Sequence, residues 1–543
     1  MRGVLVVLAF GLRLNGDGTL QWSRFDRPQR TTAMAPVVAD RSDVKARLMV
    51  GLEIHVELAT RSKMFTAAPN VAHRDNYDAG PNTLCDPVVV GMPGVLPVIN
   101  KQAVEMSMLV GLALDCRIAS FTKWDRKSYY YPDLPKNYQI SQYDLPLCHD
   151  GELEISICDD PGAPHKTIRI IRAHLEEDAG KLLHEAPGGV PIDHSIVDLN
   201  RAGTPLLEIV THPDFDSAEQ VLMFCRALRN ICRFLGVSEG VMQRGHIRFE
   251  PNINVIIEHD GNQYKTPIVE IKNLNSFKAV HGAVKFEYQR QIDDWIETGV
   301  VMDSGTKSTR GWDDARQETF LQREKEEAHD YRYFPDPDLV PVVISDEWRE
   351  AVRARMPELP LHREQRYVSD LGLAVKDARA LIDERDVCVF FEDVLAAGVE
   401  PKRAAAMLLN YGAKRANERN CLVHELGITP RQIGQIAALA DVDKISSSSA
   451  DELFGLCCLA QNTDIPPDRL AEQHGLLQVS DTSVLDVYID QVIANPKMAG
   501  AIEDVKAGKD KAIGALIGQV MKLSKGQANP KAVGDMIKQK LRG

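Results

Sequence analysis

Familiar nucleotide-binding signatures are missing from this chain of 543 residues. It has no GxxxxGKS/T loop and no GxGxxG turn. A P-loop and a dinucleotide-binding turn are thereby excluded. No apolar run approaches the roughly 20 residues that a membrane helix needs. The ten cysteines are scattered, with no CxxC pair and only Cys457 and Cys458 adjacent. That usage fits structural thiols in a reducing compartment and argues against a disulfide scaffold or a zinc site. The net charge is -13, which excludes a protein that coats nucleic acid through overall charge but leaves room for a local basic surface.

Patterned sequence begins only near Leu48. Val4 to Leu12 is a short apolar run without a clear small-residue cleavage site. Residues 1–47 read as an N-terminal extension with the true start at Met34 and the part before it untranslated; a weak signal or an organelle transit segment are the alternatives. The expected location is accordingly the cytoplasm, or a mitochondrion or plastid if the extension is a transit segment.

Three regions follow, at 48–340, 341–470 and 471–543. The first is strand-rich. Val50, Leu52, Ile54, Val56 and Leu58 alternate with Glu53, His55 and Glu57, a period of two that sends the polar three to one face of a strand. Ile247 to Val255 repeats the pattern, with Arg248, Glu250, Asn252 and Asn254 on the polar side. Val269 to Lys272 does so briefly, and Ala218 to Leu235 reads as an amphipathic helix. Tyr129 to Tyr138 carries two prolines and reads as an ordered loop. After Pro341 helical periodicity dominates, with a break at Pro466-Pro467. From Lys506 to Gly543 there are nine Lys or Arg against two Asp. Such a run is ordinarily a solvated helical face.

Glu53 with His55, Glu176 with Glu177 and Asp178, Glu208, and Glu250 fall on or beside strand faces. Carboxylates gathered on one face repel unless a cation compensates, and hard oxygen ligands suit Mg²⁺ or Mn²⁺ better than zinc. Arg126, Lys127, Lys272 and Asn273 stand in similar contexts, where cations and an amide can hold ATP phosphates. Ordinary surface ion pairs are the competing reading of each. Ser446 to Ser449 lacks the glycines of an amidase nucleophile loop.

Longer motifs carry a family resemblance. Gly51-Leu-Glu-Ile-His-Val-Glu-Leu58, Tyr131-Pro-Asp133 with Tyr138-Gln-Ile-Ser-Gln142, and His174-Leu-Glu-Glu-Asp-Ala-Gly-Lys181 occur in order. Asp198 to Val210, Glu270 to Phe277, Asp330 to Asp338 and Ser524 to Pro530 follow. Together they resemble the GatB family, the B subunits of the tRNA-dependent amidotransferases, from about residue 49 onward. The resemblance implies an α+β chain: a strand-rich cradle with a glutamine-synthetase-like carboxylate-activating site, an all-α domain, and a small helical tail that contacts tRNA. It implies a ligase that phosphorylates the side-chain carboxylate of Glu-tRNA(Gln) or Asp-tRNA(Asn) with ATP and amidates it. Ammonia would come from a separate amidase (glutaminase) chain, with a small third chain holding the two together. By motif, Glu53, His55, Glu176 or Glu177, Glu208 and Glu250 would be ligands of Mg²⁺. Arg126, Lys127 and Lys272 would neutralise phosphate oxygens, with Asn273 beside them. Lys522, Lys525 and Lys531 would bind tRNA.

The sequence departs from the family in places. Glu250 stands where many relatives carry aspartate. Where some relatives have a four-cysteine zinc knuckle, only Cys85 remains, too few for structural zinc. Ser446 to Ser449 replaces a usual Ser-Ser-Lys and leaves the local helix start open. Two other functions compete: an ATP-dependent amide ligase acting on a free amino acid, and a non-catalytic tRNA-binding scaffold.

Overall fold

The computed structural model describes residues 10–14, 20–24, 41–156, 165–186, 189–303, 307–324, 331–478, 482–524 and 528–542. Most of the 1–47 extension lies outside them. The chain divides into two units, Met1–Leu359 and Pro360–Gly543.

The first unit is built on one large mixed sheet. Eleven of its thirteen described strands, in chain order, begin with β1 (Lys45–Glu57), β2 (Asp125–Ser128), β3 (Tyr138–Ser141), β4 (Cys148–Ser156), β5 (His165–Glu177) and β6 (Pro205–Thr211). Then come β7 (Ile247–His259), β8 (Val269–Lys272), β9 (Ser308–Asp313), β10 (Glu318–Glu324) and β11 (Phe334–Pro335). The spatial order is β10-β9-β8-β7-β1-β6-β5-β3-β2-β11, with β4 paired to β5. Only the β8–β9 pair among these is parallel.

The alternation read in β1 decides which way the sheet faces. Val50, Leu52, Ile54 and Val56 are at most 1% exposed and share a core with Ile247, Phe249 and Ile253 of β7. Helices α1 (Lys101–Ala113), α2 (Ala218–Phe234) and α3 (Phe277–Thr298) add Val104, Phe224, Leu228 and Val280 to that core. Each such aliphatic side chain contributes about 1.5–3 kcal/mol when fully buried. The helices start where serine allows: Ser217 accepts from Gln220 N at 3.2 Å and Ser276 from Ala279 N at 3.1 Å. These caps satisfy amides that have no partner inside the helix. The opposite face of β1 is left for Glu53, His55 and Glu57.

The helix Asp346–Arg353 belongs to this unit. Glu105 of α1 accepts from Trp348 Nε1 at 3.0 Å and from Arg355 Nη1 at 2.6 Å. The strand-rich unit therefore continues past Pro341.

The second unit is helical. The helix that follows the serine run spans Ser447–Cys457, and Ser446 caps it by accepting from Ser449 N at 3.1 Å. The serine run thus supplies its own cap. Near the C-terminus, Leu485, Ile489, Leu516, Val520, Val533 and Ile537 form a separate core. Among the described residues no helix is long and apolar enough to cross a membrane.

Candidate active site

Strand register assembles the site. His55 on β1 stands opposite Glu208 on β6, and Glu208 stands opposite His174 on β5. On the other side of β1, Glu53 faces Glu250 and His55 faces Arg248 on β7. Glu176 is level with Ser141 of β3. Side chains level across a ladder share a face, so these groups converge.

His55 is the hub. Its Nε2 lies 3.7 Å from Glu53 Oε1 and 3.7 Å from Glu208 Oε2, and its Nδ1 lies 3.9 Å from Glu250 Oε1. His174 Nε2 is 3.8 Å from Glu208 and 3.9 Å from Glu176. Two triads result, Glu53-His55-Glu250 and His55-Glu176-Glu208, each with ligand atoms within 4.8 Å of one another. The Nδ1 atoms of His55 and His174 are buried without a hydrogen-bond partner. Carboxylate oxygens in the majority and no sulfur make this a donor set for a hard divalent cation.

Burial lowers the His55 pKa, but the bond to Glu208 and the charges of Glu250 and Glu208 outweigh it and push the imidazole up to about 9. Burial and the charge of Glu208 push Glu176 up to about 7. Burial pulls His174 down to about 4. The carboxylates thus hold one proton on His55 at neutral pH, and a divalent cation bound there has to displace it.

Cations ring the cluster. Lys272 pairs with Glu250 and, at 3.0 Å, with Glu270. Arg172 Nη2 is 3.9 Å from Glu208 and its guanidinium covers the Tyr143 ring at 4.5 Å. Lys127 lies over the Tyr331 ring at 5.0 Å. All of them line a cavity of about 860 Å³ together with Glu53, His55, Glu176, Glu208 and Glu250.

Three nominated residues stand elsewhere. Arg126 alternates with Lys127 on β2 and takes the other face. It donates to Asp336 at 2.7 Å and to Asp338 at 2.9 Å, and packs on Tyr138 at 4.3 Å. Glu177 alternates with Glu176 and binds Lys136 at 2.6 Å and Ile140 N at 3.1 Å. Asn273 follows β8 with a left-handed φ of 65° and lines a neighbouring cavity, not the cluster's own. In the helical unit Lys522 and Lys531 are exposed; Lys525 lies outside the described residues.

Sequence comparison decides the family. Residues 48–350 match the model of the GatB/GatE catalytic domain, and residues 389–541 match that of the GatB domain. The B subunit of the aspartyl/glutamyl-tRNA(Asn/Gln) amidotransferase of Caldicellulosiruptor saccharolyticus is 42% identical over 498 residues, covering 91% of this chain and 98% of the relative. Its counterpart from Thermosynechococcus vestitus is 42% identical over 511 residues, covering 94% and 99%. That of Rhodopirellula baltica is 41% identical over 490 residues, covering 90% and 95%.

This chain belongs to the GatB family of amidotransferase B subunits.

Within this family member, Arg172, His174 and Arg248 are site residues that sequence reasoning did not nominate. His174 and Arg172 are two and four residues before Glu176 on β5, so strand parity places all three on one face. Arg248 sits two residues before Glu250 and carries the same signal.

Proposed function

We propose that this chain activates the side-chain carboxylate of a mischarged tRNA with ATP, so that ammonia converts it to an amide. The substrates are Glu-tRNA(Gln) or Asp-tRNA(Asn), in keeping with the names of the relatives. The observation that carries the reading is four carboxylates and His55 on one sheet face, ringed by Lys127, Arg172 and Lys272 in one cavity.

A carboxylate is a poor electrophile because its oxygen is a bad leaving group. In the first step a side-chain carboxylate oxygen attacks the γ-phosphorus of ATP, and ADP leaves. In the second, ammonia attacks the acyl carbon, loses a proton, and phosphate leaves with the original carboxylate oxygen. Glu53, His55 and Glu250, with Glu176 and Glu208 beyond, would hold Mg²⁺, which offsets charge between nucleotide and carboxylate. Lys127, Arg172 and Lys272 neutralise charge on the transferring phosphoryl oxygens. Tyr143, Tyr331 and Tyr333 line the same cavity, and their rings would reduce the water around an acyl phosphate held there. Chemically this is the two-step logic of glutamine synthetase, applied to an esterified amino acid.

No amidase signature is present in the sequence, so ammonia comes from a separate amidase (glutaminase) chain, with a small third chain completing the assembly. The test is reconstitution. This chain, its amidase and small-chain partners, ATP, Mg²⁺, glutamine and each mischarged tRNA are combined, and the esterified amino acid is followed. Conversion that vanishes without ATP or without this chain is expected. Glu53→Ala lowers turnover at least about a hundredfold and leaves tRNA binding within about twofold. Conversion that persists without ATP overturns the reading.

A further inference from the structure

A second cavity, of about 520 Å³, adjoins the first. The two share Arg201, Arg248, Glu250 and Lys272. Between them runs an ionic bridge in which Arg248 donates to Asp178 at 2.7 Å and Arg201 approaches Asp178 at 3.7 Å. None of the mechanism above uses the side cavity, yet its lining is built for a polar, flat ligand.

Among the described residues, three polar atoms in its wall lack hydrogen bonds, the Tyr77 hydroxyl among them. Glu57 is 2% exposed, and its Oε1 has no hydrogen-bond partner; Arg248 Nη1 stands off at 3.9 Å. His246 is 4% exposed, and its Nδ1 is likewise unpartnered. Buried polar groups without partners are costly and rare in folded proteins. Beside them is a stack of planar groups. The Tyr77 ring lies 5.1 Å from His246 at an interplanar angle of 36°, and the Arg244 guanidinium lies 4.7 Å from Tyr77. Planar aromatic and guanidinium surfaces accept a nucleobase on their faces. A carboxylate accepts from an exocyclic amine at the base edge, and an imidazole nitrogen pairs with a ring nitrogen or amine. The volume lies within the range of pockets that enclose one small ligand.

We propose that this side cavity holds an adenine nucleoside, its amino edge on Glu57 and His246, its face on Tyr77, and its ribose, which carries the 5′ phosphates of ATP or the 3′ ester of tRNA, toward Lys272. The inference rests on the proposed function, which supplies two sources of that chemistry: ATP, and the terminal adenosine of the tRNA. Lys272 lies where the two cavities meet. A nucleoside seated against Tyr77 therefore has its reactive end directed at the Glu53-His55-Glu250 triad.

The experiment uses the assembled enzyme and compares two substrate pairs. One pair is ATP against purine riboside triphosphate, which lacks the amino group. The other is mischarged tRNA ending in adenosine against the same tRNA ending in purine riboside. In the wild type, one pair shows a preference of at least about tenfold in kcat/KM for the amino-bearing form. In Glu57→Ala that preference falls to about one, and the pair that collapses identifies the source. Tyr77→Leu provides a second, independent variant: it raises KM for the same substrate and leaves KM for the other unchanged. Melting curves of both variants verify folding. A wild-type preference that survives unchanged in the Glu57→Ala and Tyr77→Leu proteins overturns the assignment, as does the absence of any preference. A wild-type assembly that converts neither mischarged tRNA fails the proposed function itself, a different outcome from an active enzyme with unaltered base preference.

Discussion

His55 stands opposite Glu208 across the β1–β6 ladder, its Nε2 3.7 Å from the Glu208 carboxylate. That pairing raises the imidazole to about 9, against the pull of burial. Because the folded-state pKa lies above the ordinary value of 6.5, the stabilisation His55 gives is complete below pH 6.5 and is lost as pH rises to 9. Metal binding has the opposite slope, since the ion competes with that proton. The apparent affinity for Mn²⁺ or Mg²⁺ is expected to rise about tenfold per pH unit from 7 toward 9 and then level off. Metal titrations of the wild type and of His55→Gln at three pH values check this. A wild-type affinity independent of pH would remove His55 from the ligand set.

Lys127 and Arg126 are adjacent but expected to differ sharply when changed. Lys127 lines the cavity of the carboxylate cluster, whereas Arg126 is held by Asp336 and Asp338 on the other face of β2. Lys127→Ala is expected to cost about 10²–10³ in kcat with little change in melting temperature. Arg126→Ala leaves the buried Asp336 carboxylate without its cation and is expected to lower the melting temperature, with a much smaller effect on kcat. Steady-state kinetics and thermal melts of the two variants separate these roles. Equal kinetic losses would contradict the assignment.

The same two-residue period explains how much of the site is legible in the sequence. Glu53 and His55 are visible as the polar side of an alternating strand. Lys127 over Arg126, and Glu176 over Glu177, follow from parity once a neighbour on the cluster face is fixed: Lys127 by Gln139, Glu176 by His174. That neighbour is set by ladder register between segments far apart in the chain, as when β1 pairs with β6. Periodicity within one strand cannot supply it. The helix Asp346–Arg353 reads as part of the helical region for a related reason: its local pattern is helical, but Glu105 of α1 anchors it to the strand-rich unit. The helix caps at Ser217 and Ser276, by contrast, depend on neighbours three residues away and are local enough to read directly.

The C-terminal lysines carry a prediction about salt. Each phosphate contact releases counterions, so the slope of log affinity against log salt reports the number of contacts. Changing Lys522, Lys525 and Lys531 together to Ala is expected to weaken tRNA binding and to reduce the slope's magnitude by about two to three. Filter binding across a salt series measures it. An unchanged slope would place the tRNA contacts on other residues.

The central claim is that the esterified amino acid's own carboxylate takes the phosphoryl group. It is tested most directly by isotope transfer. Glutamate labelled with ¹⁸O in its side-chain carboxylate is loaded on tRNA(Gln) and converted by the assembled enzyme with ATP and glutamine. The inorganic phosphate released is then analysed by mass. One ¹⁸O per phosphate, appearing in step with the amide and absent with Glu53→Ala, is the expected result. Amide formed alongside phosphate that carries no label would contradict carboxylate activation and the role assigned to this sheet face.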